Sequence, residues 1–446
     1  MKRCLLTLCT VIVLATPASP ASAQGIRGLI SELFIFGTGE DPLFLAGTAG
    51  AATVQAHAGH FIPSAVESNG SLISFLTTAI GTNVSNIPLS STSAGITFRF
   101  EGGVPVATST SPGPIIAERA QTLGRGRVFI GANHSVLNFK SLRGVDLNNL
   151  RLNFTHVNAD FPGCDATFGD DCTKIGVPVL ENEFIELDLS LDLDVRATTF
   201  VMTYGLLDFL DIGVAVPVIS TSLAGTSNAQ VVPFPFNRTT AAHFFGGTET
   251  EPDLFAQKSV RGSASGLGDI ATRLKIGFGS SSNARFAILG DARWATGDAE
   301  DMLGAGDFSI RGLGIVSAQF GNFSPHANVG YVYRRDSLQS DAVLATAGFD
   351  HLLAPWAMIA VDLVSELQVG DNSLVLPQPL HVDEPFIRVI DPTTIPDIRD
   401  DIVSASVGMK FVTGSGLTII ANSIWPLNDG SLRPHVMWTA GLEYGF

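Results

Sequence analysis

Basic residues are scarce in this chain: 26 lysines and arginines stand against 42 aspartates and glutamates, a net charge of −16 where only 15% of residues are charged. A surface of that sign repels polyphosphate and anionic headgroups, which excludes nucleic acid and acidic lipid surfaces as partners. Long apolar runs are missing as well. Beyond the first 23 residues no stretch of 18 apolar residues occurs, and the longest, Leu352 to Val361, is about half of what a spanning helix needs. Helical membrane proteins are excluded. Cysteine is rare, four in 446 residues, and no group of histidines accompanies the thiols as a zinc site requires, so no metal and no cofactor is expected. Against these absences, 45% of the residues are hydrophobic, in a chain broken often by 46 glycines and 23 prolines.

The N-terminus points to export. Lys2 and Arg3 precede an apolar run from Cys4 to Ala15, followed by Pro17, Pro20 and the A-x-A site Ala21-Ser22-Ala23. This is the layout of a signal peptide over 1–23, with a mature chain from Gln24. An uncleaved anchor helix is the alternative, but the apolar core is short for one. Cys9 lies inside that core, so it is not a lipoprotein cysteine. Loss of Lys2 and Arg3 leaves 24 basic residues and a net charge of −18. The two remaining cysteines, Cys164 and Cys172, are expected to form one disulfide that clips a loop in an oxidising compartment.

Alternation of period two dominates the rest. In the C-terminal segment Val436, Trp438, Ala440, Leu442, Tyr444 and Phe446 share one face of a strand, and His435, Met437, Thr439, Gly441, Glu443 and Gly445 share the other. Ile270, Thr272, Leu274, Ile276 and Phe278 oppose Asp269, Arg273 and Lys275 in the same way; Phe286, Ile288, Ala292 and Trp294 oppose Arg285, Asp291 and Arg293. A soluble sandwich would turn the apolar set inward. A barrel in lipid turns it outward and keeps the charges in the lumen. Periodicity does not separate the two, but a signal peptide together with a terminal Phe favours the barrel.

Strands are expected near 433–446, 415–425, 401–412, 355–368, 341–351, 323–335, 307–320, 282–294, 267–279, 211–224, 183–207, 148–158, 125–139 and 93–102. Short connections, as at Thr413-Gly414, Ala354, Gly321-Asn322, Ser280-Ser281 and Phe209, alternate with long ones near 369–400, 295–306, 225–266 and 159–182. That alternation fits short periplasmic turns and long external loops, with about 14 strands and both ends periplasmic. One segment departs from the pattern. From Ile185 to Val195 the odd positions are apolar, but after Arg196 the apolar side passes to Phe200, Met202, Tyr204 and Leu206. A bulge is the preferred explanation, and two strands joined by a turn is the other. All four tryptophans (Trp294, Trp356, Trp425, Trp438) fall in or beside these strands, as do Tyr204, Tyr331, Tyr333 and Tyr444, which suits bilayer interfaces.

Residues 24–92 do not read as wall. Arg27–Phe36 and Ser71–Ile80 are apolar-rich and helical in pattern. A barrel of about 14 strands leaves a lumen that is plugged or water-filled, so this segment is expected to fold inside as a plug; docking outside the barrel is the alternative. The expected organisation is an all-β transmembrane antiparallel barrel over 93–446, a partly helical plug over 24–92 and a signal peptide over 1–23.

On these residues the chain resembles two groups of outer-membrane channel. The terminal Phe446, the strand number and the plug-sized segment resemble the FadL-type channels for fatty acids and aromatic hydrocarbons. Gly266–Lys275, Ala295-Thr-Gly-Asp298, Leu303–Gly306, His326–Tyr331 and Tyr204–Pro217 resemble the family labelled "MetA-pathway of phenol degradation" over roughly 200–370. Pro114–Gly126 resembles a stretch in uncharacterised members. The resemblance implies a non-enzymatic channel in the bacterial outer membrane that takes up an apolar solute and passes it through the barrel wall. It also implies that Trp438, Leu442, Tyr444 and Phe446 belong to the signal read by the barrel-assembly machinery. The partners expected are outer-membrane lipid and lipopolysaccharide, that machinery, and a small hydrophobic solute, with no nucleic acid.

Lipopolysaccharide blocks hydrophobic molecules, and an apolar pocket with a few polar anchors offers them a path. Phe34, Phe36, Phe61, Phe75 and Leu76 are the candidate pocket residues, and Arg273, Lys275 and Arg293 are candidates to hold a carboxylate or phenolate. Ion pairing of these cations with Asp269 and Asp291 is their favoured ordinary role. A diffusion porin for small hydrophilic solutes is the alternative reading, against which the plug-sized segment speaks. An outer-membrane hydrolase is the third. His134-Ser135 would lie on opposite faces of a strand; the acidic loop with Asp298, Glu300, Asp301 and Asp307 reads as solvated; and His57 with His60 has no further ligands.

Overall fold

The computed structural model describes residues 25–36, 46–47, 98–101, 104–107, 113–155, 184–232, 243–248, 251–281, 283–335, 339–372, 374, 376, 379–382 and 387–446. The signal peptide, Phe61, Phe75, Leu76, Cys164, Cys172, His57 and His60 lie outside the described residues.

In chain order the strands of the main sheet are β1 (Val128–Leu142), β2 (Leu150–Thr155), β3 (Phe184–Leu207), β4 (Leu210–Val232), β5 (Phe255–Leu267), β6 (Ile270–Ser280), β7 (Ala284–Trp294), β8 (Ser309–Ala318), β9 (Phe323–Arg334), β10 (Ala342–Ala354), β11 (Ala357–Gln368), β12 (Ile402–Val412), β13 (Thr418–Pro426) and β14 (Leu432–Gly445). All except β2 and β5 form a closed antiparallel meander of 12, with β14 returning to β1. Closure satisfies every edge, the condition for a sheet in hydrocarbon. The two ends of the wall meet: Val128 N–H donates to Phe446 O at 2.8 Å, and Phe446 N–H to Val128 O at 2.9 Å. Short turns lie at this end and the long connections at the other, as the spacing predicts.

Two expected wall strands are placed elsewhere. Phe98–Glu101 pairs with Val104–Ala107 in a separate hairpin, each arm too short to cross a bilayer. The wall therefore begins at Val128, not at residue 93. The strand expected at 148–158 is β2, which pairs with the upper half of β3 and bridges to Thr393, outside the closed barrel. β5 continues β6 along β4 across Gly268-Asp269, so a single long path lines that edge of β4.

The face reversal at Arg196 is not a bulge. β3 pairs with β4 in unbroken register from Phe184 to Gly205, and its odd residues are buried throughout. What inverts is the solvent outside. Below Arg196 the outward residues are Phe200, Met202, Tyr204 and Leu206; above it they are Glu186, Asp188, Ser190, Asp192 and Asp194. On β4 the change falls at the paired level: Ile212, Val214, Val216 and Val218 give way to Ser220, Ser222, Thr226, Asn228 and Gln230. Hydrocarbon surrounds the lower wall and water the upper, which rises roughly 40 Å along the strands. Because the outside of the upper wall is wet, its inside carries the apolar residues.

That inner face is the main apolar core. Leu187, Leu189, Leu191, Leu193 and Val195 of β3 and Ile219, Leu223, Ala229 and Val231 of β4 pack with Ile26, Ile30, Leu33, Phe34 and Phe36 around helix α1 (Ile26–Glu32). Glycines make room for the helix. A Cβ at Gly225 would stand 2.8 Å from Leu33 Cδ1, and one at Gly262 would collide with Leu29. Met302 and Leu303, from the loop after β7, complete this core. Lower down, Trp294, Tyr331, Tyr333 and Trp425 ring one end of the lipid-facing belt and Tyr204, Trp356 and Tyr444 the other; all are exposed on its outside.

The inversion predicts opposite costs at two outward positions on one continuous wall. Leu274→Arg, in the belt, should destabilise the barrel by about 2–4 kcal/mol, whereas Ser263→Arg, above it, should leave stability within about 0.5 kcal/mol of the wild type. Urea unfolding in lipid vesicles, followed by tryptophan fluorescence, measures both.

Candidate functional site

Residues 113–127 cross the lumen before the chain enters β1. Pro114 restricts their start, and Gly124 and Gly126, at φ +87° and +78°, turn the chain into the wall. Side chains of the barrel, not strand pairing, hold this strap in place. Asn328 of β9 grips its backbone twice: Glu118 N–H donates to Asn328 Oδ1 at 2.9 Å, and Asn328 Nδ2 donates to Glu118 O at 3.0 Å. Ala120 N–H donates to Ser317 Oγ of β8 at 3.2 Å, and Leu123 N–H to the Asp211 carboxylate of β4 at 3.0 Å. Ile115 is packed with Met358 and Ala360 of β11 and Ile420 of β13.

Charge supplies the stronger ties. Glu118 is buried and takes Arg273 Nη1 at 3.0 Å and Lys275 Nζ at 3.1 Å, both from the inner face of β6. Arg119 donates twice to Asp350 of β10, at 2.9 and 2.8 Å. Around these pairs Asp291 of β7 receives Arg311 Nε of β8 at 2.9 Å and faces Arg273 at 3.6 Å. His326 Nε2 meets Asp362 at 2.6 Å, and Lys410 meets Glu443 at 3.0 Å. An ion at membrane depth is tolerable only when paired and hydrogen-bonded, so Glu118 and Arg119 match the wall as well as cross it.

The candidates named from the sequence divide accordingly. Arg273 and Lys275 are brought together, but by Glu118 rather than by a solute. Arg273 also meets Asp291, as its ordinary role predicts. Asp269 acts differently: its carboxylate accepts Gly297 N–H at 3.0 Å and Ala305 N–H at 2.8 Å, folding the loop after β7 over the kink between β5 and β6. Arg293 is buried on the inner face of β7, beside Asp291 but in no ion pair with a described residue. Phe34 and Phe36 are in the upper apolar core, Phe34 edge-on to Phe154 at 6.4 Å and Phe36 tilted on Phe245 at 5.3 Å. Trp438, Leu442 and Tyr444 point outward from β14, and Phe446 is exposed beyond its end.

The strap is the lumenal element that period-two reading misses, because it is not a strand. Its signal in the sequence is Glu118-Arg119, adjacent opposite charges in the otherwise uncharged run from Pro114 to Gly124. The hydrolase candidates stay apart. His134 is exposed on the outside with Nδ1 3.0 Å from Thr198 Oγ1, while Ser135 is buried inside, 2.8 Å from Thr439. In the acidic loop Asp298 accepts N–H groups of its own turn, and Glu300 pairs with Arg27 at 3.3 Å.

No family model and no curated protein sequence matches the chain. Among solved structures, the COG4313 outer membrane channel from Pseudomonas putida F1 is 10% identical over 73% of this chain and 98% of its own, with a TM-score of 0.39. A deltaS2 mutant of the TodX monoaromatic hydrocarbon channel is 11% identical over 74% and 92%, with a TM-score of 0.35. A FadL homologue of Pseudomonas aeruginosa is 10% identical over 72% and 89%, with a TM-score of 0.30.

Breaking one half of the Arg119–Asp350 pair should cost about 3–5 kcal/mol, since the other half stays buried without its two charge-assisted hydrogen bonds. Asp350→Ala and Arg119→Ala should each show it in urea unfolding, and the double variant should recover most of the loss, with a coupling that a double-mutant cycle reads directly.

Proposed function

We propose that this chain is an outer-membrane channel for passive passage of small hydrophobic compounds, aromatic or fatty-acid-like, and that it carries out no chemical reaction. The observation that carries this reading is the strap. A porin for hydrophilic solutes works through an open, water-filled lumen, whereas here residues 113–127 lie across it and are tied to β4, β6, β8, β9 and β10. Above the strap the inner face of the raised wall is apolar and packs against α1, the chemistry with which a hydrophobic solute trades water for contact. A strap held by side-chain pairs can shift without parting any strand, so passage leaves the wall closed. The resemblance of the motifs over roughly 200–370 to a family of outer-membrane channels supports the same class.

In this reading lipid and lipopolysaccharide surround the apolar belt, the long connections face outward, and β14 is the segment presented to the barrel-assembly machinery. Two measurements test it. In planar bilayers the intact protein should conduct ions at close to the background level, and Glu118→Ala/Arg119→Ala should raise conductance severalfold. In bacteria with an intact lipopolysaccharide layer, expression should speed uptake of a labelled aromatic hydrocarbon or fatty acid but not of arabinose. Large, stable conductance in the intact protein with rapid arabinose entry would overturn the reading in favour of a diffusion porin.

A further inference from the structure

Resting on that reading, which sets the raised wall on the external side of the membrane, we infer that the outside of β3–β5 is a docking site for lipopolysaccharide, with its saccharide held between Asp192 and Arg261. Three levels follow one another up this face. The lowest belongs to the belt: Phe200, Val218 and Leu267, one from each strand, are large apolar side chains exposed on the outside. Above them stands Arg196, exposed and in register with Ser220. Four residues higher, about 13 Å along the strand, the register sets Asp192, Ala224 and Arg261 in one row across the three strands. Ala224 is short and its two neighbours are long, so this row is a trough. It encloses about 490 Å³, with Ala224 in its floor, Asp192 on one side and Arg261 on the other. Thr226 Oγ1, 3.1 Å from Ser259 Oγ, stands at its upper end.

The other acids of this part of β3 are engaged by neighbouring strands: Asp188 accepts from Arg151 Nε at 2.8 Å, and Asp194 from the Asn138 amide. Asp192 faces Lys140 at 4.0 Å, and its side chain is 62% exposed, so its carboxylate stays open to a ligand. A sugar hydroxyl both donates and accepts, and the trough offers it an acceptor carboxylate opposite a donor guanidinium, one strand apart. The order of the three levels selects lipopolysaccharide among saccharides. Acyl chains, headgroup phosphates and sugars succeed one another in that lipid as the belt, Arg196 and the trough do on the wall, so one molecule lying against β3–β5 meets all three. A net charge of −16 works against holding an anion on charge alone. Hydroxyl recognition in the trough, rather than phosphate at Arg196, is therefore what distinguishes this lipid from others of the same charge.

The test is native mass spectrometry of the full chain in detergent, titrated with deep-rough lipopolysaccharide, which keeps the inner-core sugars, or with lipid A, which lacks them. Lipopolysaccharide should bind about tenfold more tightly, the order expected for one hydrogen bond to a charged group. Ala224→Trp fills an outward-facing trough without entering the apolar core and should bring the ratio of the two affinities close to one. Asp192→Ala and Arg261→Ala should each lower it severalfold, whereas Arg196→Ala should weaken both ligands alike and leave the ratio in place. A wild-type ratio of one, or a ratio that Ala224→Trp leaves unchanged, overturns the saccharide site. A dimer that Ala224→Trp dissociates overturns it too, and assigns the trough to a second copy of the chain. The ratio does not depend on passage through the lumen, so its failure leaves the channel standing; large conductance in the intact protein overturns the channel without moving the ratio.

Discussion

Glu118 is buried between Arg273 and Lys275, and much of the lumen is arranged around that contact. The carboxylate belongs to a segment outside the wall, the two cations to neighbouring inward positions of one strand. Removing the acid would leave two cations buried; removing the cations would leave the acid buried. Each costs several kcal/mol at this depth. The strap is therefore as much a counter-charge to the wall as an obstruction in it. Asn328, Ser317 and Asp211 then fix its backbone by accepting N–H groups that a segment without strand pairing would otherwise leave unsatisfied.

The wall answers a different constraint, the change of solvent along its height. One strand, β3, carries leucines inward and acids outward in its upper half, then polar and small residues inward and large apolar residues outward in its lower half. The backbone runs straight through the change in unbroken register. Its upper part is a water-exposed sheet with a dry interior, and its lower part is a lipid-exposed sheet with a charged interior. The apolar core that holds α1 and the charged lumen that holds the strap are stacked because of that inversion.

How much of this was legible follows from what periodicity encodes. The outward faces of β6, β7 and β14 were readable residue by residue, because strand geometry alternates sides and lipid demands apolar groups. The alternation of short and long connections was readable for the same kind of reason. The reversal at Arg196 was visible but ambiguous, since a bulge and a change of solvent leave the same trace in a sequence. The hairpin at 98–107 and the partial strand β2 were misplaced because pairing partners are a matter of register, which composition does not specify. Arg273, Lys275 and Arg293 were recognisable as lumenal; that the first two are taken by Glu118 and the third is not depends on which loop folds inside.

The sequence by itself determined the class of fold: a two-residue repeat of apolar and polar side chains on strands of crossing length is a local property, and it dictates which face meets lipid. Only the tertiary structure decided what fills the lumen and which charges are satisfied there. Those outcomes depend on atoms brought within a few ångströms of each other by barrel closure, from positions as far apart as Arg119 and Asp350, and no local pattern records a distance.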